Sequence, residues 1–103
     1  MTMTKLDEKA RTVALAALPA WQHDPKRDAI MRAFVFKDFM QAFAFMTEMA
    51  IWSEKHDHHP EWFNVYNKVN VTMTTHDASG LSQRDVDWAR HADAVAARGA
   101  QSK

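Results

Sequence analysis

The chain has 103 residues, 47% of them hydrophobic and 25% charged, which is enough for one domain with one core and too short for a second. It has no cysteine, which excludes disulfides, thiol nucleophiles and Cys-ligated zinc or iron–sulfur sites. Thirteen Lys and Arg balance thirteen Asp and Glu, which argues against a surface built mainly to neutralise nucleic-acid phosphates and leaves room only for a local basic patch, and no apolar run approaches the ~20 residues that cross a bilayer.

In chain order, Thr4 is placed to cap a first helix, with Asp7 and Glu8 in its first turn and Leu6, Ala10, Val13 and Ala17 at helical spacing until Pro19. VALAALPA, residues 13–20, imitates the core of a signal peptide. Acidic residues in place of a cationic leader make helix the better reading, and the chain is expected in the cytoplasm. A short strand at 21–23, a polar turn at 24–28 and an alternating strand at 29–36 predict a hairpin. Asp38 is a candidate N-cap for a central helix to Lys55, whose stripe Phe39, Phe43, Met46, Met49 or Ala50, and Ser53 predicts the core face.

Pro60 keeps HDHHPEW out of a helix interior. From Glu61 a second hairpin is expected, turning near Tyr66 and Asn67, with Val69, Val71, Met73 and Thr75 on one face and Lys68, Asn70, Thr72, Thr74 and His76 on the other. Ser82, with Asp85 three residues on, marks the start of a last helix running to about Ala97 and stopped by Gly99. The order helix-strand-strand-helix-strand-strand-helix predicts an α+β two-layer sandwich, a single domain over 1–103. Its sheet would be four-stranded and antiparallel, with the helices on one face.

Four of the six histidines, His56, His58, His59 and His76, fall at the two ends of the second hairpin beside Asp57, Glu61 and Asp77. An antiparallel hairpin brings its outer ends together, so His58, His59 and His76 are expected to converge. Three readings stay open for such a group. Imidazoles near neutral pKa can serve as acid and base, neutral imidazoles can ligate a metal, and loop histidines can simply hydrogen-bond to carboxylates.

EKHDHHPEW at 54–62, FNVYNKV at 63–69 and THDASGLSQRD at 75–85, with FKDF and AFAFM in the central helix, resemble the pterin-4a-carbinolamine dehydratase family over about residues 21–97. The resemblance implies the same element order and a metal-free hydro-lyase without cofactor, converting 4a-hydroxytetrahydropterin to quinonoid dihydropterin after aromatic amino acid hydroxylation. It implies His58 and His76 as acid/base groups and His59 as the residue that holds the substrate. Pro60 would fix the loop and Trp62 would wall the pocket, although Trp62 reads equally as a core aromatic. Asp57 would orient a histidine, with Glu54 and Asp85 as further supporting acids. His56 departs from the family and is read as a bystander, and His23 and His91 as surface residues. The apolar circumference of the central helix predicts a homodimer or homotetramer. Some animal relatives bind a homeodomain transcription factor, which makes a protein-interaction module the alternative function. Neither nucleic acid nor membrane is an expected partner.

Overall fold

The computed structural model describes residues 4–101. Helix α1 (Glu8–Ala16) is followed by β1 (Gln22–Asp24), β2 (Ala29–Val35), α2 (Phe39–His56), β3 (Glu61–Val65), β4 (Lys68–Met73), a short 3-10 turn at His76–Ala78 and α3 (Gln83–Gln101). The strands form one antiparallel sheet in the order β1-β2-β4-β3, so each hairpin contributes one central and one edge strand. This is the α+β sandwich the element order predicts.

Alternation decides which face carries the helices. Ile30 and Phe34 on β2 and Val69, Val71 and Met73 on β4 are buried, whereas Ala33, Val35, Phe63 and Val65 lie on the open face. Burying each of the large apolar side chains contributes about 1.5–3 kcal/mol, and a one-residue slip of β4 would turn all of its apolar residues outward. The helices cover them with Met49 and Phe45 from α2 and with Trp88, Ala89 and Ala92 from α3. Trp88 is fully buried, and its indole N–H donates to Ser53 Oγ at 2.9 Å, which in turn donates to the Met49 carbonyl. That chain satisfies the polar atoms where the two long helices meet.

Several expectations need correction. Asp7, not Thr4, caps α1, its carboxylate accepting from Ala10 N, because the chain before it is held extended by a bridge between Lys5 and Ser82. The face of this segment turned to the core is Leu6, Ala14, Leu15 and Leu18, while Ala10, Val13 and Ala17 are exposed. On α2 the buried stripe is Ala42, Phe45, Met49 and Ser53, so Phe39 and Phe43 stand outside the core. Both rows have helical spacing, and the small Ala42 lets the helix approach the sheet where Phe43 would hold it off. Gly99 does not end α3, which continues to Gln101. β4 stops at Met73, and His76 sits in the 3-10 turn rather than on the strand.

Asp28 ties the first hairpin to the segment after β4. It adopts a left-handed backbone (φ 51°) at the end of the turn, and its buried carboxylate accepts from Leu81 N at 3.1 Å and from His23 Nε2 at 2.6 Å. Burial alone would push this carboxyl up, but the bonds from His23 and Leu81 outweigh it and hold the pKa below the ordinary 3.8. His23 is therefore a half-buried partner of Asp28 and not a free surface residue. A Cβ at Gly80 would collide with that carboxylate and press on Lys5 Cε at 3.0 Å. Gly80→Ala should destabilise the fold by about 1–3 kcal/mol, read as a fall in the urea midpoint with unchanged slope.

Candidate active site

The ends of both hairpins and the start of α3 enclose an open cleft of about 900 Å³. His58, His59, His76 and Asp57 line it, so the convergence argued from the antiparallel hairpin holds for all three histidines. Local geometry explains how consecutive histidines come to differ. Helix α2 ends at Asp57 in a left-handed conformation (φ 50°, ψ 46°), and His58 N bonds to the Ser53 carbonyl at 3.1 Å, closing a Schellman-type cap. The reversal sends His58 inward and leaves His59 outside, before Pro60 starts the extended run into β3.

His58 is buried, and its Nε2 lies 2.6 Å from Asp85 Oδ1. Asp85 is fully buried at the first turn of α3, and its other oxygen accepts from Thr75 Oγ1 at 2.7 Å and Ser82 N at 2.9 Å. Ser82 Oγ donates to Thr75 Oγ1 at 2.6 Å, completing a relay in which each hydroxyl points its proton toward the carboxylate. An ionised Asp85 makes Nε2 the donor of His58, which fixes the tautomer and leaves Nδ1 as the nitrogen able to exchange a proton. His59 is exposed, with Nε2 2.7 Å from Glu54 Oε1. His76 is exposed; its carbonyl accepts from Ser79 N at 3.0 Å, and its imidazole has no hydrogen-bond partner among the described residues.

The acids divide differently from the sequence expectation. Asp85 and Glu54 are the histidine partners, whereas Asp57 closes the helix and its carboxylate contacts no histidine among the described residues. Trp62 packs edge-on against Trp88 with centroids 6.2 Å apart, on the core side and away from the cleft lining, and Pro60 is likewise outside that lining. His56 stacks on Trp52 at 3.7 Å and donates from Nδ1 to the Trp52 carbonyl, with His91 against the same indole at 5.2 Å.

Two arginines in the cleft carry no signal in the sequence reading. Arg84 donates to the carbonyls of His56 at 3.2 Å and Asp57 at 3.4 Å, holding the end of α2 to α3. Arg27, in the turn of the first hairpin, grips Glu61 with two parallel bonds of 2.9 and 2.8 Å. The bond to Arg27 holds the Glu61 carboxyl below its usual range against the opposing effect of burial. Thr75 and Ser82 were legible only as a strand end and a cap, since the Ser82–Asp85 spacing has that local explanation. Among the described residues no three His, Asp or Glu side chains are grouped so as to hold a metal ion.

The model of the family described as pterin 4 alpha carbinolamine dehydratase matches residues 4–95. The chain belongs to that family. A protein of Rhizorhabdus wittichii provisionally named pterin-4-alpha-carbinolamine dehydratase is 55% identical over 96 residues, 93% of this chain and 99% of its own length. One of Rhodopseudomonas palustris with the same provisional name is 53% identical over 94 residues, 91% of this chain and 93% of its own. The crystal structure of a transcriptional coactivator/pterin dehydratase from Brucella melitensis superposes with a TM-score of 0.87 at 48% identity, covering 90% of this chain and 99% of that one. A pterin dehydratase-like protein described as a RuBisCO assembly factor in the alpha-carboxysome superposes at 0.66 and 28% identity, covering 75% and 89%.

The dehydratase family thus supplies a frame in which the Asp85 relay can be tested by itself. Asp85→Asn should keep the shape and replace an acceptor by an amide, at a cost of about 1–3 kcal/mol in stability. Nitrogen-15 chemical shifts of the His58 ring should show loss of the single Nε2–H tautomer, while His59 and His76 keep their shifts.

Proposed function

We propose that this protein dehydrates 4a-hydroxytetrahydropterin to the quinonoid dihydropterin. The observation that carries the reading is the Asp85–His58 pair opening on a cleft shared with His59 and His76. The reaction breaks the C4a–O bond, delivers a proton to the departing hydroxyl to make water, and removes one proton from a ring nitrogen. Acid and base exchange equal numbers of protons, so two imidazoles suffice. His58, with its tautomer set by Asp85, is the base that accepts the ring proton at Nδ1. His76, exposed at the lip of the cleft, donates to the hydroxyl, and His59, steadied by Glu54, holds the ring. The substrate arises where a tetrahydropterin has served an aromatic amino acid hydroxylase, and the product returns to a reductase.

The activity is measured by the decay of the transient ultraviolet absorbance of 4a-hydroxytetrahydropterin generated by a hydroxylase. The protein should accelerate that decay with a chelator present, and His59→Ala should abolish the acceleration. His58→Ala together with His76→Ala should lower it by about 10²–10⁴-fold, and an unchanged rate in this pair would overturn the mechanism.

A second reading concerns surfaces. Phe39, Met40, Phe43 and Ile51 on α2 and Phe63, Val65 and Tyr66 around β3 are large apolar side chains left exposed. These faces favour self-association as a dimer or tetramer, and a role for the same fold in binding other proteins is the alternative function. Light scattering at micromolar concentration should give a mass of two or four chains.

A further inference from the structure

We infer that Glu61 recognises the amino-pyrimidinone edge of a pterin in this cleft, and that Arg27 is the internal stand-in for that edge. The inference rests on the dehydratase reading above and names what sets its ring specificity.

The Arg27–Glu61 contact is a planar fork on a planar fork, with Nη1 2.9 Å from Oε1 and Nη2 2.8 Å from Oε2. It is the one bidentate arginine–carboxylate pair among the described residues, and both partners line the cleft that holds the three histidines. A pterin ring offers N3–H and the 2-amino group as two parallel donors on a flat, amidine-like edge, the same pattern a guanidinium presents. A carboxylate already shaped and ionised for Arg27 is therefore shaped for that edge.

The other carboxylates fit less well. Asp85 is fully buried and saturated by His58, Thr75 and Ser82, and Glu54, engaged with His59, is not itself part of the cleft lining. Asp57 and Asp77 line the cleft, but neither carboxylate is fixed by a hydrogen bond among the described residues. Exchange is feasible because Glu61 and Arg27 keep 58% and 48% of their side chains exposed, so a released guanidinium moves into water and is not stranded in a core. Arg27 keeps the acceptor ionised and oriented while the cleft is free, then gives way.

Isothermal titration of the full chain with 7,8-dihydropterin and with 7,8-dihydrolumazine, which has a carbonyl in place of the 2-amino group, tests this. The wild type should bind the pterin at least about tenfold more tightly than the lumazine. Glu61→Gln should reverse the preference, because an amide offers one acceptor to N3–H and one donor to the 2-carbonyl. Arg27→Gln should tighten pterin binding several-fold by removing the competitor. If both variants weaken both ligands alike, the pair is only a wall of the cleft and the inference fails. An unchanged preference in Glu61→Gln also overturns it while leaving the dehydratase reading intact. A wild type that binds neither ligand overturns both.

Discussion

A single buried carboxylate organises this molecule. Removing Asp85 from water costs several kcal/mol, and the cost is offset only because His58, Thr75 and the Ser82 N–H all converge on it at the positive end of α3. Those partners come from the turn after α2, the segment just after β4 and the start of α3, so satisfying one charge fixes the meeting point of three elements. No buried side-chain polar atom among the described residues is left without a partner. Stability and the orientation of the His58 ring therefore have the same origin, and the cleft can be loosened only by loosening the fold.

Around that point the first hairpin acts as a brace. Asp28 reaches the backbone at Leu81, Thr74 Oγ1 donates to the Asp28 carbonyl at 3.2 Å, and Arg27 spans to Glu61. The segment carrying His76 is thus clamped by Asp28 ahead of Leu81 and by the Thr75–Gly80 bridge, although His76 itself stays exposed. The arrangement combines a held backbone with a free imidazole.

Much of this was legible in the residues, for identifiable reasons. Strand alternation at Val69, Val71 and Met73 and the caps at Asp38 and Ser82 are local signals, and they located the strand faces and two helix starts correctly. The convergence of His58, His59 and His76 followed from hairpin geometry, which depends on pairing and not on exact register. The face of α2 was not legible, because Phe43 and Phe45 both lie on rows of helical spacing and only the small Ala42 beside the sheet separates them. The partner of each histidine was equally hidden. Asp57 is adjacent in sequence yet closes a helix, whereas Asp85 stands 27 residues from His58 and had a sufficient local role as part of a cap. Arg27 and Arg84 gave no signal because their partners are set entirely by tertiary contact.

The ties at the cleft also bear on how the protein folds. His58 to Asp85 closes 27 residues, Arg27 to Glu61 closes 34 and Asp28 to Leu81 closes 53. Each requires loop-closure entropy to be overcome before the contact returns anything, so these contacts belong to the late, non-local stage of folding, after the helices and hairpins have formed. Arg27–Glu61 and Asp28–Leu81 each run from the first hairpin to the second or beyond it, so neither hairpin alone contains both ends of either tie. The cleft is consequently assembled only when both hairpins and α3 are in place, and a partly open molecule presents the histidines without it.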